Sequence, residues 1–188
     1  IHPLLSIRGV PGTHDIKKLI KHTVYFEKEN YPFSVPIFNK IKDNLTNKNR
    51  KIKKKADILI LEGWCCGCPP IKYTYLKKNI NNIEKNLDKK LLWRKFYNLQ
   101  LKNHYFKLFK KYDQIIYLKA PSFSYVLKWR LQQEKMLLKT KNTKNGMNKN
   151  KIFEFIQHYE KITKWMMNVL PKISNLTAYI GKNHKIKK

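Results

Sequence analysis

The chain has 188 residues, 42 % of them hydrophobic, and a formal net charge of +29. That is enough apolar material for one domain with a sizeable core, which excludes wholesale disorder. No apolar run reaches the ~18 residues that a membrane-spanning helix needs, and Lys17 and Lys18 lead into no apolar leader-like segment.

Thr13 is placed to cap a helix that starts near His14 and carries Ile16, Leu19, Ile20 and Val24 on one face. Residues 31-YPFSVPIF-38 are broken by proline and read as extended. From 39 to 55 the chain is polar and Lys-rich, the composition of a mobile surface segment. A β-branched apolar run at 56–61 has the pattern of a strand covered on both faces, and Glu62 ends it.

The next stretch, 63-GWCCGCPP-70, cannot extend that strand. Cys65, Cys66 and Cys68 are the only cysteines. An odd number in one cluster is no disulfide framework and suggests a reducing compartment. A structural zinc site takes four ligands, usually from two separated pairs, and there is no second pair. The cysteines therefore read as small buried side chains in a tight loop.

Residues 91–112 have helical spacing, with Leu92, Phe96, Leu99, Tyr105 and Phe109 as the expected core stripe. A second buried strand is expected at 114–118. Ser122 would cap a helix carrying Val126, Leu127, Leu131 and Leu138. A Lys/Asn loop around Gly146 leads into a long helix over 152–169, which stops before Pro171, and 176–180 is a last short strand. Strands alternating with helices imply a parallel sheet with helices on both faces. In such a sheet ligands sit beyond the carboxyl ends of the strands, where Glu62 lies.

The charge excess has two readings. Arg8, Arg50, Arg94 and Arg130 are the only arginines, and Lys, Asn and Ile crowd together as in 141-KNTKNGMNKNKI-152. An A+T-rich coding sequence produces that mixture. Nucleic-acid binders favour the Arg fork and gather charge on one face, whereas here Lys is spread along the whole chain. Drift in composition is the preferred reading. A Lys-rich nucleic-acid-binding protein without sequence preference is the rival, and any polyanion should feel the field.

Four blocks occur in order: 8-RGVPGTHD-15, 62-EGWCCGCPP-70, 129-WRLQQEKM-136 and 146-GM-147. Together they resemble the D-glycerate 3-kinase family of P-loop kinases, over nearly the whole chain. The resemblance implies an α/β fold: a single P-loop-kinase-like domain over 1–188, with a lid at about 130–150. It implies an ATP- and Mg2+-dependent kinase acting on a small hydroxylated metabolite, D-glycerate being the candidate. A cytoplasmic location is expected, and no membrane partner.

By that resemblance Glu62 ends the strand equivalent to Walker B and would hold Mg2+, through water, or orient the substrate. Arg8, His14 and Asp15 would line the acceptor side, Arg8 binding a carboxylate or phosphate with its fork. Their alternative is a glycine turn followed by a helix cap. Lys40 and Asp43 fall where relatives carry a charged cluster. Arg130 would meet the transferred phosphate from the lid; its alternative is a pair with Glu134 on the same helix face. Two departures stand out. No GxxxxGK(S/T) phosphate loop occurs in the 188 residues, and Asn39 replaces the Asp of the family's Phe-Asp-Lys. The loop, the first strand and an acidic general base are expected upstream of Ile1. The chain is then a piece of a kinase or a remnant that has lost activity.

Overall fold

The structure, a computed structural model, describes residues 2–39, 44–141 and 147–187. Two compact units are present, Asp15–Gly63 and the pair of segments Ile1–His14 and Trp64–Lys188. No helix among the described residues is long and apolar enough to cross a membrane.

In the first unit, α1 spans Ile16–Glu27. Its cap is Asp15, whose carboxylate accepts the Lys18 N–H at 3.1 Å, and not Thr13. The Thr13 hydroxyl is committed to its own turn, donating to the Val10 carbonyl at 2.8 Å and accepting the Gly9 N–H at 2.9 Å. Strand β1 (Phe33–Asn39) pairs antiparallel with β2 (Asn44–Ile52). The register slips between Pro36 and Phe38, where proline has no N–H to give the ladder. So the polar segment expected to be mobile is largely a strand. Its backbone finds partners in β1, and that outweighs its weak strand propensity.

The opposite correction applies at 56–61. This run forms no strand, and Ile58 and Ile60 are 77 % and 81 % exposed. β-branched residues favour an extended backbone but cannot hold one without a neighbour to pair with. Among the described residues, every strand pairs elsewhere.

In the second unit the short helices α2 (Tyr73–Leu76) and α3 (Asn82–Asn86) lead into α4 (Leu92–Gln100). A π-helical turn, Leu101–Tyr105, joins α4 to α5 (Phe106–Phe109). Strand β3 (Ile116–Lys119) runs parallel to β4 (Leu176–Tyr179), so both strands expected here form in the expected orientation, but β3 is not buried as expected: Ile116 and Leu118 are exposed. Between them lie α6 (Phe123–Lys141) and α7 (Lys149–Val169), which pack together. Asn148 caps α7 by accepting the Lys151 N–H at 2.9 Å, and a 3-10 turn at Leu170–Lys172 ends it at Pro171.

The core stripe is offset from the expected one. Leu92 and Leu99 are exposed, whereas Trp93, Tyr97, Leu101, Tyr105, Leu108 and Phe109 are buried. Asp88 fixes this phase by accepting the N–H groups of Trp93 and Arg94 at the start of α4. On α6, Leu127, Leu131 and Leu138 are only half-buried, and among the described side chains the buried one is Glu134.

A buried ionic network ties α7 to the 75–88 segment. Lys161 and Arg94 are 2 % and 1 % exposed, and both reach Glu84 Oε2, at 3.2 and 3.5 Å. Lys161 also donates to the carbonyls of Tyr75 (3.2 Å) and Lys78 (2.6 Å). Arg94 Nε donates to Asp88 at 2.7 Å. Burial pushes the Glu84 carboxyl upward, opposed by the Ile80 N–H and by the two cations. Gln157 and Glu160, on the same side of α7, engage Asn82 and Asn81 at 3.0 Å each.

Removing one member of such a network strands the others without water. Lys161→Met is expected to cost about 3 kcal/mol or more in urea unfolding. Lys164→Met, which breaks only the outer pair with Glu160, should cost less than about 1 kcal/mol. Equal losses would show that burial of the network contributes nothing.

Candidate functional site

The Arg8–His14 loop folds as it does because of two glycines. Gly9 and Gly12 have φ of 120° and 98°, which L side chains rarely adopt. A Cβ on Gly9 would lie 2.9 Å from the Tyr159 ring, and one on Gly12 would lie 2.6 Å from the Phe96 ring. Val10 and Pro11 are buried between them.

Two tyrosines pin the loop. The Tyr159 hydroxyl donates to the Arg8 carbonyl at 2.7 Å. The Tyr105 hydroxyl accepts the Gly12 N–H at 3.1 Å and lies 2.9 Å from His14 Nδ1. His14 is half-buried; burial first, and then the Arg8 guanidinium, hold its imidazole below the ordinary range. A neutral imidazole is therefore presented beside a permanent cation.

The same face of α7 connects this loop to Arg130. Phe155, Tyr159 and Thr163 follow at intervals of four and so share a face. The Arg130 guanidinium lies 5.8 Å over the Phe155 ring. Phe155 touches Tyr159 at 5.0 Å between ring centroids, and Trp64 meets Tyr159 edge-on at 4.9 Å. Trp64 is itself fixed by donating to Thr163 at 2.9 Å.

Arg130 also pairs with Glu134 at 2.8 Å, and Glu134 accepts the Met147 N–H at 2.9 Å. The Met147 N–H and then Arg130 hold the Glu134 carboxyl below its ordinary range against its desolvation. So the structure brings Arg8, His14 and Arg130 into one contiguous set of contacts. The ion pair to Glu134 is part of that set.

Asp15 and Glu62 belong to the other unit. Asp15 is engaged at the start of α1, capping Lys18 N–H and pairing with the Lys18 ammonium at 3.5 Å. Glu62 is exposed, with no hydrogen bond or ion pair among the described residues. It follows an irregular segment and not the strand expected there. Lys40, Asp43 and Gly146 lie outside the described residues. Cys65 and Cys68 are buried in the loop that follows, as expected of packing residues. Burial pushes the Cys65 thiol up to about 12 and the Cys68 thiol well up, so both stay protonated.

Tyr105, Phe155, Tyr159 and Thr163 escape a reading of the sequence. Their spacing is that of core residues, and the contacts that single out Tyr105, Tyr159 and Thr163 join positions some 90 to 150 apart, as in Tyr105–His14 and Tyr159–Arg8.

No protein-family model matches the chain. It is 31 % identical over 167 residues to a Schizosaccharomyces pombe protein named "Uncharacterized kinase mug58", covering 84 % of this chain and 58 % of that protein. It is 25 % identical over 169 residues to the chloroplastic D-glycerate 3-kinase of Arabidopsis thaliana, covering 83 % of this chain and 33 % of the plant protein. The chain thus spans between a third and three-fifths of these relatives' lengths. Its fold superposes on the D-glycerate 3-kinase structure from Cryptococcus neoformans var. grubii with a TM-score of 0.77, over 100 % of this chain and 70 % of the other, at 23 % identity. The chain is thus similar in sequence to proteins named as kinases and shares the fold of a solved D-glycerate 3-kinase, in line with the resemblance carried by its motifs.

Proposed function

We propose that this protein takes part in ATP-dependent phosphorylation of a small hydroxylated acid, with D-glycerate as the acceptor. The observation that carries this reading is the Arg8–His14 loop, pinned by Tyr105 and Tyr159 and joined through Phe155 to Arg130. A guanidinium beside a neutral imidazole suits an acceptor with one carboxylate and adjacent hydroxyls. Arg8 neutralises the carboxylate, and His14 hydrogen-bonds an oxygen. The Asp15 carboxylate is a further acceptor for a substrate hydroxyl, and Lys40 and Asp43 are proposed to complete the acceptor side.

Glu62 fits a magnesium role by its chemistry. It is an exposed oxygen donor without a competing cation among the described residues, and Mg2+ usually takes one or two carboxylates and fills the rest of its shell with water and phosphate oxygens. Mg2+·ATP would supply the phosphoryl group and neutralise charge on its oxygens. No residue of this chain is assigned to cradle the nucleotide phosphates, because no GxxxxGK(S/T) sequence lies within it. Arg130, held by Glu134 and set over Phe155, is the cation proposed to meet the transferred phosphoryl group.

These 188 residues alone are therefore expected to bind ATP only weakly at physiological salt, where lysine attraction is screened beyond roughly 8 Å. Micromolar, magnesium-dependent affinity in calorimetry would show that the phosphate site is already here. In a protein extended by a phosphate loop, Glu62→Gln should cut kcat with D-glycerate at least tenfold while the urea midpoint stays put, an estimate of about 1.4 kcal/mol or more in the barrier. Unchanged turnover at saturating Mg2+ would remove Glu62 from the site. In the same protein Arg130→Lys should lower kcat by about 10³ if the fork meets the transferred phosphoryl group. A loss below about threefold, with a slightly lower melting point, would leave Arg130 as only the partner of Glu134.

A further inference from the structure

We propose that Tyr105 is a positioning residue that fixes His14 as the imidazole protonated on Nε2, so that His14 faces the acceptor as a hydrogen-bond donor and not as a base. The second half of this proposal rests on the acceptor-site reading above; the first half does not.

The hydrogen bonds dictate the assignment. The Tyr105 oxygen faces the Gly12 N–H at 3.1 Å and His14 Nδ1 at 2.9 Å, and the His14 backbone N–H also points a donor at it. Gly12 can only donate, so one lone pair of the phenol oxygen is taken. If Nδ1 carried the proton, it too would donate to that oxygen. The hydroxyl hydrogen would then have no acceptor among these residues, although Tyr105 is 3 % exposed. If the hydroxyl donates to Nδ1, every group in the cluster is satisfied. The proton of the neutral ring is then on Nε2, which has no partner among the described residues.

Backbone geometry points the same way. Tyr105 is the last residue of the π-helical turn Leu101–Tyr105. Such turns are rare and recur at functional sites, because the extra residue re-aims the side chains that follow. Here the turn lets Tyr105 reach Gly12 and His14 from an otherwise regular helical run. The Tyr105 phenol is pushed up to about 12, chiefly by burial, so the hydroxyl keeps the proton that it donates. The neutral state of His14 is favoured by its burial and by Arg8.

The consequence is chemical. An Nε2–H next to the Arg8 cation supplies a donor to a carboxylate or hydroxyl oxygen, and it cannot take a proton from the attacking hydroxyl. Any general base must be another group.

The test is imidazole nitrogen NMR on the 15N-labelled 188-residue chain at neutral pH, with His14→Gln used to identify the His14 signals. The expected spectrum has a pyridine-type Nδ1 and a pyrrole-type, protonated Nε2. In Tyr105→Phe the two nitrogen shifts should move toward each other as the tautomers exchange. A protonated Nδ1 in the unaltered chain overturns the proposal, whether or not Tyr105→Phe folds; so does a Tyr105→Phe spectrum identical to the parent. Added D-glycerate should then shift the Nε2–H signal in a saturable way. If the tautomer is as stated but D-glycerate leaves that signal unmoved, Tyr105 keeps its role over the ring, and the donor role of His14 toward the acceptor is overturned together with the acceptor-site reading.

Discussion

Lys161 is the residue on which the second unit turns. An ammonium 2 % exposed sits against Glu84 and two backbone carbonyls, and Glu84 is shared with the equally buried Arg94. Burial works against the charge on Lys161, and Glu84 offsets that cost. Together they fix one side of α7, and the opposite consequence appears on the face carrying Phe155, Tyr159 and Thr163. Because α7 cannot slide or rotate without breaking the network, Tyr159 holds the Arg8 carbonyl at a defined place. A close-packed interior of low compressibility transmits such a constraint.

The Arg8–His14 loop thus owes its shape to two separate anchors. Tyr159 comes from α7, and Tyr105 comes from the π-helical turn after α4. Both are held by hydrophobic packing, and both spend their hydroxyl on the loop. Gly9 and Gly12 make room for the rings that approach them. The chain's arginines illustrate the same economy. Of the 41 basic residues only Arg8, Arg50, Arg94 and Arg130 are Arg. Arg94 uses its fork for several buried acceptors, and Arg130 combines an ion pair with a ring contact. Lysine mostly serves where a solvated point charge suffices, buried Lys161 being an exception.

Much of this was legible before any coordinates. The block 8-RGVPGTHD-15 announced a glycine-built loop, and β3, β4, α6 and α7 follow from their apolar periods and stop signals. Other features were hidden for physical reasons. The run 56–61 carries the same β-branched signal as 116–119, yet only the latter has a partner, because strand pairing is decided by residues far away in sequence. Thr13 and Asp15 are both good capping residues two positions apart, and side-chain commitments within the turn chose between them. Lys161 is indistinguishable by composition from the surface lysines around it. Tyr105 looked like one more member of an apolar stripe, since a π-helical turn leaves no mark in a 3.6-residue period.

The claim at the centre of this account is that the loop between Arg8 and His14 receives the acceptor. Hydrogen–deuterium exchange on the chain, with and without saturating D-glycerate, tests it most directly. Slower exchange confined to peptides covering residues 8–14, and to the segments of α7 and the π-helical turn that pin them, is the expected result. No slowing over 8–14, or slowing spread instead across the Lys-rich segments, would contradict it.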